Sequence, residues 1–143
     1  MTVHKDANPT ATEPLAGARV LDFTRVLAGP YCTAMMADLG AEVIKIETAQ
    51  GDDYRHIGPF REGESLLFQT VNRGKRSIVL DLKDDHDRGT LLRLAETVDV
   101  VVENSRAGVM DRLGVGYETL AARNEALVYA AIRGFGDPRT GES

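Results

Sequence analysis

The chain has no tryptophan and a single cysteine, and aromatic residues make up only 6% of it. A lone thiol, Cys32, cannot form an intrachain disulfide, and it cannot seed a zinc site of the cysteine-rich type. The histidines, His4, His56 and His86, are scattered and unpaired. No apolar run approaches the ~20 residues that a membrane helix needs, so no membrane partner is expected. The N-terminus carries no apolar signal core, and the expected compartment is the cytoplasm. Lysine and arginine are outnumbered by acidic residues, 17 to 22, giving a net charge of −5. A mildly acidic chain is a poor general binder of nucleic acid, which needs clustered cations. One phosphate-bearing ligand needs only a few local cations and is not excluded.

What is present is ordinary globular material. The chain has 143 residues, 43% hydrophobic and 27% charged, enough for one domain with a core. Residues 1–14 are polar, contain two prolines and show no periodicity. They read as a disordered lead-in, with residues 15–143 as one folded segment.

After the lead-in the pattern alternates. Arg19–Thr24 suits a buried strand. Gly29-Pro30 opens a helix with body Tyr31–Leu39, ended by Gly40. Glu42–Glu47 sets β-branched residues between charges and reads as a second strand. Residues 48–64 read as a long loop, and Ser65–Asn72 as a short helix. Ser77–Leu82 reads as a third strand, and Asp84–Thr97 as a helix with Leu91, Leu92, Leu94 and Ala95 as its apolar stripe. Val98–Glu103 is a fourth, very apolar strand. Val109–Leu113 and Tyr117–Arg123 read as short helices, and Leu127–Ile132 as a fifth strand. This alternation implies βαβ units: an α/β fold, Rossmann-like, with a mostly parallel sheet and flanking helices. Such sheets bind ligands beyond the carboxyl ends of their strands. The loops at 24–30, 47–64, 81–84 and 103–108 are therefore where function should be sought.

Each candidate motif has a functional and a plain reading. Val26-Leu27-Ala28-Gly29-Pro30 either lets a ligand approach small residues and a helix N-terminus, or is an ordinary strand-to-helix turn. Its single glycine does not make a dinucleotide fingerprint. Asn72-Arg73-Gly74-Lys75-Arg76 could hold phosphates or form a solvated basic turn. Lys83, in Asp81-Leu82-Lys83, stands where an α/β sheet places ligands, or is surface charge near a helix start. Glu103-Asn104-Ser105-Arg106 breaks a very apolar strand into polar residues, as binding loops and capped loops both do. Arg112 follows as an anion partner or surface charge. Gly51-Asp52-Asp53 reads as a solvated acidic pair rather than a metal site, and Cys32 as a small buried helix residue rather than a nucleophile.

Taken together and in order, these stretches resemble one family. The matching segments are 14–47 (PLAGARVLDFTRVLAGPYCTAMMADLGAEVIKIE), 51–55 (GDDYR), 72–83 (NRGKRSIVLDLK), 98–120 (VDVVVENSRAGVMDRLGVGYETL) and 126–136 (ALVYAAIRGFG). The chain resembles the class III CoA-transferases, which include formyl-CoA and carnitine-CoA transferases, with the α-methylacyl-CoA racemases as relatives. The resemblance implies a Rossmann-like large domain joined to a smaller one, in an interlocked homodimer. It implies that this chain is the first segment of the large domain. It implies coenzyme A or acyl-CoA as a substrate, with no permanently bound cofactor, and a carboxylic acid as the other substrate.

By position, the resemblance implies CoA contacts from Leu27 and Ala28, from Leu80, Asp81 and Lys83, from Asn104, Ser105 and Arg106, and from Arg112. Leu27 stands where some members have glutamine, and Thr48 where some have a phosphate-binding arginine. The resemblance also implies an aspartate nucleophile that attacks the thioester and passes through a mixed anhydride and an enzyme thioester. That aspartate is expected beyond Ser143, so the chain alone is expected to be inactive. The alternatives are a racemase-like parent working by proton abstraction, and a non-catalytic CoA-binding scaffold.

Overall fold

The computed structural model describes residues 13–135. Most of the expected lead-in, and the end of the chain from residue 136, lie outside the described residues. Strand β1 (Arg19–Asp22) is followed by helix α1 (Ala28–Asp38) and strand β2 (Glu42–Glu47). A 3₁₀ turn (Asp53–His56), a short hairpin of β3 (Phe60–Arg61) and β4 (Glu64–Ser65), and helix α2 (Leu66–Asn72) come next. The chain then forms β5 (Lys75–Val79), α3 (Asp85–Ala95), β6 (Val100–Glu103), α4 (Val109–Arg112), α5 (Tyr117–Ala121) and β7 (Val128–Ala131).

The main sheet has the order β5-β2-β1-β6-β7 and every pair in it is parallel. The expected α/β fold with a mostly parallel sheet is thus what the chain forms. Both faces are covered, because successive residues of a strand point to opposite sides. In β1, Leu21 joins the larger core with Phe23, Ile46, Val101, Leu91 of α3 and Leu120 of α5. Val20 points the other way, to Val43, Val102 and the α1 residues Met36 and Ala37. Leu21, Leu91 and Leu120 are fully buried, each contributing about 1.5–3 kcal/mol by leaving water. The sheet grows outward from β1 to β2 and β5, then reverses and adds β6 on the other side of β1. The gap between the carboxyl ends of β1 and β6 is the switch point where open α/β sheets bind ligands.

Local chemistry sets the boundaries. The Asp84 carboxylate accepts the N–H groups of His86 and Asp87 and caps α3; Ser65 Oγ accepts Phe68 N–H and caps α2. Gly40 follows α1 with φ 98°, the left-handed conformation that glycine adopts without penalty.

Two expectations are corrected. The third strand is Lys75–Val79, not Ser77–Leu82. Lys75 and Arg76 enter the ladder because their charges find partners: Lys75 Nζ lies 2.8 Å from Asp22 Oδ2, and Arg76 Nη2 lies 2.5 Å from Glu42 Oε1. The expected loop at 48–64 also carries the 3₁₀ turn and the β3–β4 hairpin. Arg55 anchors that excursion, with its guanidinium on Glu47 and 3.7 Å from the Phe68 ring centre.

Candidate functional site

Beyond the carboxyl ends of β1, β2, β5 and β6 lies a cleft of about 230 Å³. Its apolar walls come from Phe23, Ile46, Leu80, Leu82, Met110 and Leu113. Arg25, Thr48, Asp81, Lys83 and Ser105 add polar groups. This mixture suits a ligand with a flat apolar part and a charged part.

The loop after β1 forms one side, and side chains from the end of β1 and from distant elements hold its backbone. Asp22 Oδ1 accepts Thr24 N–H at 2.9 Å, and Lys45 Nζ donates to the Thr24 carbonyl at 2.7 Å. Asn104 makes a reciprocal pair with Arg25: its Oδ1 accepts the Arg25 N–H at 2.9 Å and its Nδ2 donates to the Arg25 carbonyl at 2.8 Å. Asp52 Oδ1 accepts Val26 N–H at 3.2 Å. Val26 has φ 72°, a conformation that costs an L-residue roughly 1–2 kcal/mol. It persists at the cleft because its neighbours are fixed.

Two buried ion pairs stand behind this loop. Lys45 Nζ lies 2.9 Å from Asp52 Oδ2, with side chains 1% and 0% exposed. That oxygen has no aligned hydrogen bond, so the contact is a charge pairing rather than a directed bond. Lys75 Nζ meets Asp22 Oδ2, the Pro30 carbonyl and Asn72 Oδ1. Burial pushes the Lys75 ammonium below its ordinary range, against the opposing pull of Asp22. Burial would raise the Glu47 carboxyl, but hydrogen bonds from Arg55 and Ser77 and the Arg55 charge outweigh it and hold the group at about 2. Glu47, at the end of β2, is therefore ionised and committed to protein partners.

Among the described residues, cations divide into two classes. Those at 19, 45, 55, 73, 75, 76, 88, 123 and 133 each meet a carboxylate. The side chains of Arg25, Arg61, Lys83, Arg93, Arg106 and Arg112 make no such contact; apart from Arg61 on β3 and Arg93 on α3, these stand on or after the loops at the sheet's carboxyl edge. The basic run at 73–76 is accordingly not a phosphate cradle; Arg73, Lys75 and Arg76 are spent on Asp38, Asp22 and Glu42.

The model of CoA-transferase family III matches residues 15–143. The chain belongs to this family. This family III chain is 55% identical over 130 residues to the succinyl-CoA:mesaconate CoA-transferase of Haloarcula hispanica, covering 87% of the chain and 33% of that relative. It is 50% identical over 137 residues to the acetyl-CoA:oxalate CoA-transferase of Acetobacter aceti, covering 95% of the chain and 35% of that relative. Among solved structures, a CAIB/BAIF family protein from Brucella suis superposes with TM-score 0.83 at 43% identity, over 88% of this chain and 35% of that one. The hypothetical protein Rv3272 from Mycobacterium tuberculosis gives 0.80 at 44% identity, over 87% and 33%. The family III chain thus spans about a third of the length of these curated relatives.

Of the residues expected to contact CoA, Leu80, Asp81, Lys83 and Ser105 line the cleft together. Leu27 caps the start of α1, Ala28 is its first residue, and both are exposed beside the cleft rather than in its wall. Asn104 spends its carboxamide on Arg25. Arg106 and Arg112 are exposed and flank the wall residue Val109 in sequence without lining the cleft themselves.

Gly29 is explained by packing: a Cβ there would lie 2.3 Å from Thr24 Cβ. The Asp52-Asp53 pair is corrected, since Asp52 is buried against Lys45 and only Asp53 is solvated. Sequence reasoning missed Phe23, Arg25, Lys45 and Asp52. The available signal was charge inside otherwise apolar strand patterns, as at Lys45 in Val43-Ile44-Lys45-Ile46. No cluster of three His, Cys, Asp or Glu side chains among the described residues is placed to hold a metal. No described helix is long and apolar enough to cross a membrane.

Proposed function

We propose that the whole protein moves CoA between an acyl-CoA and a carboxylic acid, and that residues 15–143 supply the cleft that receives the CoA. The observation that carries this is the cleft at the sheet's switch point, apolar inside, with the uncommitted cation Lys83 at its rim. Apolar walls take the adenine ring, and Lys83 takes a phosphate. Arg106 and Arg112 add positive charge on the adjoining loop and helix. The names of the relatives, which pair succinyl-CoA with mesaconate and acetyl-CoA with oxalate, support the same reaction class here. CoA is a substrate in this reading, not a resident cofactor.

The chemistry is covalent exchange through an aspartate. Its carboxylate oxygen attacks the thioester carbonyl, the C–S bond breaks, and an acyl-aspartyl anhydride and CoA thiolate form. The thiolate attacks the aspartyl carbonyl and releases the donor acid, leaving an enzyme thioester. The acceptor carboxylate then takes over the CoA by the reverse steps. The carboxylates buried behind the cleft cannot serve: Asp22, Glu47 and Asp52 are each tied to a buried or bidentate cation. In this reading none of these three is the nucleophile, which the family resemblance sets at an aspartate beyond Ser143. The protein acts as a homodimer in the cytoplasm.

Calorimetric titration of the chain with CoA tests the binding half. Saturable one-to-one binding, weakened about tenfold by Lys83→Ala, is expected. Absence of saturable binding would overturn it. For the chemical half, the chain alone should catalyse no exchange between succinyl-CoA and a dicarboxylic acid. Sustained turnover would place the nucleophile within these residues.

A further inference from the structure

Arg25 combines a fixed backbone with an uncommitted side chain. Its N–H and carbonyl are both held by Asn104, across 79 positions of sequence. The next residue, Val26, is held by Asp52 in a left-handed conformation. Three groups distant in sequence, Lys45, Asp52 and Asn104, together with the adjacent Asp22, thus fix the backbone of residues 24–26, while the Arg25 guanidinium makes no hydrogen bond or ion pair among the described residues. Arg25 nonetheless lines the cleft. Holding a backbone this firmly lowers the entropy lost when its side chain meets a ligand.

The position of Arg25 says what that ligand group is. Arg25 follows β1 and Lys83 follows β5, and β2 lies between these strands in the sheet. The two cations therefore stand on either side of the end of β2. Beyond that end the cleft is lined by the neutral Thr48, because Glu47 and Lys45 are already paired. Two separated cations beside an apolar slot match a ligand with a ring and more than one phosphate. A guanidinium presents a planar fork suited to two phosphate oxygens at once.

We propose that Arg25 is a phosphate-contacting residue of this cleft, and that Asn104 is its positioning residue, acting through the Arg25 backbone rather than on the ligand. This rests on the reading that the cleft receives CoA, and it adds a cation that the family resemblance does not supply. It also accounts for the neutral Thr48, since charge for the phosphates comes from the neighbouring strand end.

The test is binding of CoA, and of adenosine as a phosphate-free control, to the full chain. The variants are Arg25→Gln, Arg25→Lys and Asn104→Ala. Arg25 is exposed, so Arg25→Gln should keep the fold, which circular dichroism checks. Arg25→Gln should weaken CoA binding about tenfold or more and flatten its salt dependence. Adenosine binding, followed by NMR at millimolar concentration, should not change. Arg25→Lys should recover part of the loss, because a point charge replaces the fork. Asn104→Ala should weaken CoA alone, and should lose most of that effect in an Arg25→Gln background. CoA binding by Arg25→Gln equal to that of the unsubstituted chain overturns the proposal. Equal losses for CoA and adenosine overturn it too, since they signal a collapsed cleft. If the unsubstituted chain binds no CoA, the assignment of the cleft itself fails, an outcome distinct from both.

Discussion

Asp52→Ala is the most informative single perturbation of the scaffold beneath the cleft. Asp52 and Lys45 form an ion pair with side-chain exposures of 0% and 1%. Removing the carboxylate leaves an ammonium buried with the Thr24 carbonyl as its remaining partner. Breaking a buried pair from one side costs about 3–5 kcal/mol. Asp52 Oδ1 also accepts the N–H groups of Val26 and Tyr54, and losing each acceptor adds about 1 kcal/mol. A loss of about 5–7 kcal/mol follows, a large fraction of the 5–15 kcal/mol typical of a domain. The assay is urea unfolding of the chain and of Asp52→Ala, Lys45→Met and the double variant. The double variant should be more stable than the sum of the single losses by at least about 2 kcal/mol, because it removes the stranded charge. If Asp52→Ala does not fold, recovery of folding in the double variant carries the same information. A loss under about 1 kcal/mol for Asp52→Ala, or additive losses, would show that the Asp52–Lys45 pair does not hold this part of the fold.

Val26→Gly should leave stability unchanged or raise it by up to about 1 kcal/mol, since relief of a left-handed Val outweighs the added freedom of glycine; a loss above about 1 kcal/mol in urea unfolding contradicts this. Acid stability should depend on Glu47, whose folded-state carboxyl sits at about 2 against an ordinary 4.5. A lowered carboxyl pKa adds stability that is fully present above about 4.5 and is lost as pH falls toward 2. Glu47→Gln should therefore flatten the stability profile in that window by up to about one proton, or ~1.4 kcal/mol per pH unit; an unchanged slope would show that Glu47 is not the titrating group.

The fold was legible where pattern and burial agree. β2 spans Glu42–Glu47 as its alternation suggests, and the apolar stripe of α3 buries Leu91 and Ala95. It was illegible where burial depends on partners distant in sequence. Lys75 looked like a turn residue because its carboxylate, Asp22, lies 53 positions away. Asp52 looked solvated because nothing local shows that Lys45 points toward it. The site was half legible for the same reason. Lys83 and Ser105 follow from the rule that ligands gather at strand ends. The role of Arg25 follows only when Asn104 is seen to hold it.

In the proposed function, the cleft between the ends of β1, β2, β5 and β6 receives CoA. Amide NMR of the chain titrated with CoA tests it most directly. CoA bound in the cleft should give saturable shifts concentrated at Phe23, Ile46, Thr48, Leu80, Lys83 and Ser105, with Val128 on the far edge strand unmoved. Shifts centred on β7, or no saturable shifts at millimolar CoA, would contradict it.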